Sequence, residues 1–280
     1  MTTAPEGAKG GQRIDPSRSA GVLIGVDAYT ELDPLRAVRN NLTQLGEVLT
    51  DAEIWGIAPD RLKVVANPQS QSELVRPIRD MAKRAEDTLI VYYSGHGLID
   101  PDDDQLYLTL TGSELGEPDT AVPFAWVRRA IRDNGSAKRR VLILDCCYSG
   151  KVLEGMSTGD VGVQVAAGVH DVQGSYLMTS TAQNRKALAP ERERCSVFTG
   201  ELVDVLRDGI RDGPETLGLN ALFKEVRTRL LAKRRPEPQE QDQNGVGRLT
   251  FVRNRAVDRP PPAPPPPPGG RVRRWALTVG

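Results

Sequence analysis

Two stretches constrain this chain more than any others: IVYYSGHG (90–97) and VLILDCCYSG (141–150). Each opens on an apolar run with no polar alternation, so a strand made from it must be covered on both faces. A parallel sheet between two layers of helices provides that cover. Each run then ends in a glycine-punctuated turn that carries reactive side chains. The first turn holds His96, and the second holds Cys146 and Cys147.

The surrounding pattern agrees with such a sheet. AGVLIGVD (20–27) reads as a first buried strand, and Leu35, Val38, Leu42, Leu45, Leu49 and Ala52 then recur at the three- and four-residue steps of one helix face. RLKVVAN (61–67) is a second strand, and an amphipathic stretch from Ser72 to Glu86 leads to the strand before His96. FAWVRRAIRD (124–133) is the helix before the cysteine-bearing strand. GSYLMTST (174–181) is a further strand, helices are expected around 197–208 and 218–233, and RLTFVRN (248–254) is the last strand. The expected fold class is α/β: a mainly parallel central sheet with helices on both faces, in a single domain over residues 20–255. Residues 1–19 are expected to be a disordered N-terminal segment and 256–280 a proline-rich linker and tail, where RPPPAPPPPPGG (259–270) reads as an extended polyproline spacer.

Charge directs attention to a site rather than a surface. The 37 Lys and Arg balance the 37 Asp and Glu, so no net field draws the protein to nucleic acid or an acidic membrane. The three cysteines form no C-x-x-C pair and no disulfide framework, which fits a reducing compartment. The first twenty residues lack the apolar segment of a signal peptide, and no stretch approaches a membrane span. A cytoplasmic location is the expectation.

In an open parallel sheet, ligands bind beyond the carboxyl ends of the strands, where His96 and the Asp145-Cys146-Cys147 triplet both fall. A thiol is mostly protonated at neutral pH, and a nearby imidazole can activate it by taking that proton. Singly, a cysteine is often a small core hydrophobe and a histidine a satisfied turn residue. Together, in two such turns 51 positions apart, they read as a nucleophile and its base. Strand alternation puts Asp145 and Cys147 on one face and Cys146 on the other, which makes Cys146 a core residue. A phosphatase-type thiol site would need arginine six positions beyond its cysteine, where Val152 and Leu153 stand instead.

The SGHG turn, the D-x-C-x-S-G turn and their flanking segments resemble the caspase-like cysteine peptidases, in their metacaspase and prokaryotic caspase-homologue branch. GVLIGVDAY is similar to that family's first strand, LRAVRNNL to the start of its first helix, LMTSTAQNRKA to its substrate-loop strand, and SVFTGELVDVL to the helix that follows. The roughly 50-residue spacing from histidine to cysteine is itself a known caspase feature. The resemblance implies a caspase-like fold and endopeptidase activity, with Cys147 as nucleophile and His96 carrying protons. It also implies an oxyanion hole from the backbone N–H groups of Gly97 and Cys147.

For the residue before the scissile bond, the resemblance implies Arg or Lys, bound by acidic groups that include Asp145. Ser180 falls on the substrate-loop strand. Where the family carries a second acid, this chain has Asn41, and Asp27 either compensates or simply closes the first strand. No cofactor or metal is required. DPDDD (100–104) groups carboxylates that suit calcium, without the ordered spacing of a ligand loop, so calcium activation stays an alternative to a solvated acidic loop. Protein or peptide substrates are the expected partners, with a partner domain possible on the proline-rich tail. The competing readings are a catalytically silent scaffold and a peptidase with non-basic specificity.

Overall fold

The computed structural model describes residues 13–100, 105–146, 174–180 and 193–258. Along the chain, β1 (Ala20–Gly25) leads to α1 (Ala37–Thr50), β2 (Leu62–Ala66), α2 (Gln71–Arg84) and β3 (Thr88–Gly95). Three short strands, β4 (Gly97–Ile99), β5 (Leu106–Leu108) and β6 (Val122–Pro123), form a small antiparallel sheet. It precedes α3 (Phe124–Asp133) and β7 (Arg139–Cys146). After β8 (Ser175–Thr179) come α4 (Val197–Asp208), β9 (Thr216–Gly218), α5 (Leu219–Ala232), β10 (Gln239–Asp242) and β11 (Thr250–Arg253).

The central sheet has the order β10-β8-β7-β3-β1-β2. Its pairs are parallel except for β10, which runs antiparallel to β8 at one edge. The middle strands β1 and β3 are buried at every residue, as their unbroken apolar sequences require. Alternating side chains feed two cores. Ile90 and Tyr92 of β3 and Val141 and Ile143 of β7 pack with Leu42 and Leu45 of α1, Leu202 of α4 and Phe223 of α5. Leu89, Val91 and Tyr93 of β3 and Leu142, Leu144 and Cys146 of β7 pack with Ile78 of α2 and Ile131 of α3. Cys146 is therefore a core residue on the face opposite Asp145.

The edges depart from the sequence pattern. β2 was legible from its sequence, yet as an edge strand it leaves Lys63 and Val64 exposed. β10, Gln-Glu-Gln-Asp, has no apolar residue and carries no periodic signal; it is recruited by pairing with β8. The expected last strand, β11, does not enter the central sheet but forms a two-stranded ribbon with β9. Residues 13–19 pack onto the domain: Ile14 is fully buried in the first core and its N–H bonds Thr250 O at 2.9 Å. Asp15 caps the short helix that enters β1.

Helix ends follow side-chain chemistry. Ser70 caps α2 by accepting the Glu73 N–H, while Glu73 Oε2 accepts the Gln69 N–H at 2.9 Å. At the amino ends of β3 and β7, far along the strands from the His96 turn, the buried Asp87 and Arg139 pair at 2.6 Å. Removing one partner strands a buried charge, whereas removing both does not. Arg139→Met is expected to destabilise the fold by about 3 kcal/mol, with much of that recovered in Asp87→Asn/Arg139→Met. Urea unfolding of the three proteins checks this, and equal stability of wild type and Arg139→Met would refute it.

Candidate active site

Parallel pairing of β3 with β7 decides what meets at the sheet's carboxyl edge. Ser94 lies beside Asp145 and Gly95 beside Cys146, in a register with a constant offset of 51. On the other side of β7, Leu144 lies beside Thr179, and the Ser180 N–H donates to Leu144 O at 3.0 Å. Ser94, Asp145 and Ser180 therefore sit at neighbouring strand ends. Alternation aims Ser94 and Asp145 at the side of the sheet covered by α1 and α4.

There they meet Asn41 from α1 and Ser196 and Thr199 from the start of α4. Asn41 Nδ2 donates to Ser94 Oγ (3.1 Å) and Ser196 Oγ (2.9 Å), and its Oδ1 accepts the Ser196 N–H (3.0 Å). Asp145 Oδ2 accepts the Ser196 hydroxyl and the Thr199 hydroxyl, the latter at 2.5 Å. Tyr92, one step down β3, reaches Thr199 Oγ1 at 2.7 Å. Asn41, Ser94, Asp145 and Thr199 are all fully buried. Burial pushes the Asp145 carboxyl above the usual range, although the hydroxyls of Ser196, Thr199 and Ser180 pull the other way. Among the described residues no donor meets its other oxygen, Oδ1. Among the described residues this buried carboxylate is held by neutral donors, with one oxygen unsatisfied and no cation to balance it.

Sequence reasoning pointed to Asn41, Asp145 and Ser180 and missed Ser94, Ser196 and Thr199. Ser94 was visible inside the SGHG turn. Ser196 and Thr199 carried no signal beyond standing at a helix start, because their meeting with Asp145 depends on how α4 packs over the sheet. Asp27 is engaged elsewhere as a turn residue: Oδ1 accepts from Asn67 Nδ2 at 2.6 Å and Oδ2 pairs with Arg39 at 3.2 Å. In return, Asn67 Oδ1 accepts the Asp27 and Ala28 N–H groups, tying the ends of β1 and β2 together from the left-handed backbone of Asn67.

His96 stands one residue past β3, and Gly97 opens β4. His96 is 6% exposed. Its Nε2 lies 2.9 Å from Asp33 O. A carbonyl only accepts, so Nε2 carries the proton and Nδ1 presents a lone pair. Burial lowers the imidazole from its ordinary 6.5 to about 4, keeping it unprotonated at physiological pH. Gly95 is forced by its surroundings: a Cβ there would come within 2.6 Å of the Tyr93 hydroxyl and 3.0 Å of the Tyr29 hydroxyl. Cys147 and residues 101–104 of the DPDDD run lie outside the described residues.

Among the described residues, no group of three His, Cys, Asp or Glu side chains is placed to hold a metal, and no helix is long and apolar enough to cross a membrane. The sequence profile of the caspase domain, in the C14 peptidase class, matches residues 18–246. The chain belongs to this caspase-domain family. Its fold matches that of protein GSU0716 from Geobacter sulfurreducens with a TM-score of 0.56 at 14% identity, covering 85% of this chain and 98% of that one. Caspase-1 from Spodoptera frugiperda matches with a TM-score of 0.55 at 12% identity, covering 87% of this chain and 93% of that one. Among curated proteins none matches the chain. The caspase-like fold expected from the paired turns is the fold observed.

A neutral, buried His96 leaves a mark on stability. Between about pH 6.5 and 4 the unfolded chain takes up a proton that the folded state refuses, so stability is full above that window and falls as pH drops through it. Asp145, with its raised carboxyl, acts in the opposite direction: it favours the fold while protonated and loses that advantage as pH rises. Comparing wild type with His96→Gln at pH 7 and pH 4.5 isolates the histidine, since Asp145 is common to both. The wild type is expected to lose more stability on acidification, measured by chemical denaturation; equal losses would contradict a buried neutral imidazole.

Proposed function

We propose that this caspase-domain protein is a cysteine endopeptidase of the metacaspase-like branch that cleaves after Arg or Lys. In this reading the Cys147 sulfur attacks the substrate carbonyl carbon, and its proton passes to His96 Nδ1. The oxyanion takes hydrogen bonds from the Gly97 and Cys147 N–H groups. His96 then gives the proton to the departing amine as the C–N bond breaks, leaving a thioester. Water, deprotonated by His96, attacks the thioester, and the thiol leaves with its proton restored. The β3–β7 register supports the pairing of the two residues, because the next step of its constant offset of 51 is His96 with position 147.

The observation that carries basic specificity is the fully buried Asp145, with Oδ1 unsatisfied among the described residues and no cationic partner there. A substrate guanidinium or ammonium supplies the missing charge, displacing the Ser196 and Thr199 hydroxyls that now hold Oδ2. Asn41, in place of a second acid, spends its amide on Ser94 and Ser196. Among the described residues the pocket thus offers the Asp145 carboxylate, and discrimination rests on that charge. The chemistry asks for no cofactor, and the activity belongs to regulated proteolysis, in a cell-death or defence setting, on protein substrates inside the cell.

Fluorogenic peptides that differ only before the cleaved bond test this reading. Arg and Lys peptides are expected to be cleaved, and Asp, Asn and Leu peptides not. Cys147→Ala abolishes turnover and His96→Ala lowers it by about 10²-fold or more, while Cys146→Ala stays folded and active. Activity that survives in Cys147→Ala and vanishes in a folded Cys146→Ala would overturn the nucleophile assignment.

Asp145→Asn keeps the shape and removes the charge. It is expected to lower kcat/KM for Arg peptides by about 100-fold, in line with leaving one partner of a desolvated charge pair alone, with little change in thermal stability. Undiminished preference for Arg in that variant would move the specificity elsewhere.

A further inference from the structure

We propose that Tyr29 and Thr109 are positioning residues for His96, closing a ring of hydroxyl hydrogen bonds that runs from the His96 N–H back to the His96 carbonyl. The proposal rests on His96 being the proton carrier of the peptidase.

His96 joins two ladders: the pairing of β3 with β7 ends at Gly95 and Cys146, and that of β4 with β5 begins at Gly97 and Leu108, with the Thr109 N–H on His96 O at 3.4 Å. The flanking glycines, Gly95 and Gly97, offer no side chains to pack, and hydroxyls add to what holds this backbone. Tyr29 Oη accepts the His96 N–H at 2.9 Å and lies 3.0 Å from Thr109 Oγ1. Thr109 Oγ1 lies 3.0 Å from His96 O, from Tyr29 Oη and from Tyr93 Oη; with its one proton on the carbonyl, which can only accept, Tyr29 donates to Thr109 and closes the ring. Tyr93 adds a second donor on His96 O at 2.9 Å.

The His96 N–H is therefore held by a side chain from the loop after β1, and its carbonyl by side chains of β3 and of the residue after β5, beside the Thr109 N–H. The Tyr29 ring also packs on the imidazole, with centroids 4.8 Å apart and planes inclined at 47°. That loop is itself docked by the Thr30 N–H on Thr111 O at 3.1 Å, and from the same loop Asp33 O holds Nε2. Tyr29 thus bears on the imidazole twice, through the backbone and through the ring face. Burial raises the Tyr29 phenol well above its ordinary value, which keeps it a donor across the working pH range. Each hydroxyl in such a ring polarises the next, so loss of one loosens the others. A reacting group displaced by a fraction of an ångström loses rate rather than binding.

This separates a positioning role from pocket binding. Tyr29→Phe keeps the ring contact and removes the acceptor for the His96 N–H; Thr109→Val removes the middle of the ring, and Thr109→Ser restores its hydroxyl. On an Arg-containing fluorogenic peptide, Tyr29→Phe and Thr109→Val are expected to lower kcat about tenfold with KM within about twofold, and Thr109→Ser to recover most of the rate. Amide hydrogen exchange at His96, followed by NMR, needs no turnover and is expected to quicken about tenfold or more in Tyr29→Phe and Thr109→Val, with Thr109→Ser close to wild type. If both variants keep wild-type kcat and wild-type exchange at His96, the proposal is overturned. It is overturned equally if their only change is a lower Tm at unaltered kcat. A wild type that cleaves no peptide, yet shows the exchange pattern, would sink the peptidase reading and leave the hydroxyl ring standing as what holds His96.

Discussion

The parallel pairing of β3 with β7 is the interaction on which the rest of the structure depends. Its register puts Ser94 beside Asp145 and Gly95 beside Cys146. Both strands lie inside the sheet, and their side chains feed both cores. A shift of one residue would turn Asp145 into the α2–α3 core and Cys146 toward the α1–α4 side. The strand ends are fixed because the strand bodies have no other way to bury their apolar residues.

Two different physical environments are built at that edge. Around Asp145 everything is buried and hydroxyl-rich, and the carboxylate is stabilised by neutral donors while one oxygen stays unmet among the described residues. Around His96 the backbone is pinned at both ends by hydroxyls and the imidazole is kept neutral by burial. Glycine at position 95 joins them, because its missing Cβ is the space that the Tyr93 and Tyr29 hydroxyls approach.

The interior strands and long helices were legible because burial on both faces, or on one helical stripe, leaves a periodic trace. The edge elements were not. β10 consists of Gln, Glu, Gln and Asp and is a strand because β8 offers it a ladder. β9 and β11, which form a ribbon apart from the central sheet, were separable only once the packing was known. The same division runs through the site. His96 and the Asp145 triplet announced themselves as odd residues at the ends of apolar runs, whereas Tyr29, Thr109, Ser196 and Thr199 are ordinary residues in ordinary places.

By itself the sequence determined that the chain forms a parallel α/β sheet and delivers His96 and Asp145 to its carboxyl edge, since side-chain period and apolar run length are local properties. Tertiary structure alone decided which hydroxyls close around them. The separation of Tyr29 from His96 by 67 residues and of Asp145 from Thr199 by 54 spans several elements. It also presented Asn67 and Arg39 to the carboxylate of Asp27. Hydrogen bonds act over about 3 Å, and which groups come that close is set by the packing of whole helices and loops on the sheet, a quantity no short stretch of sequence contains.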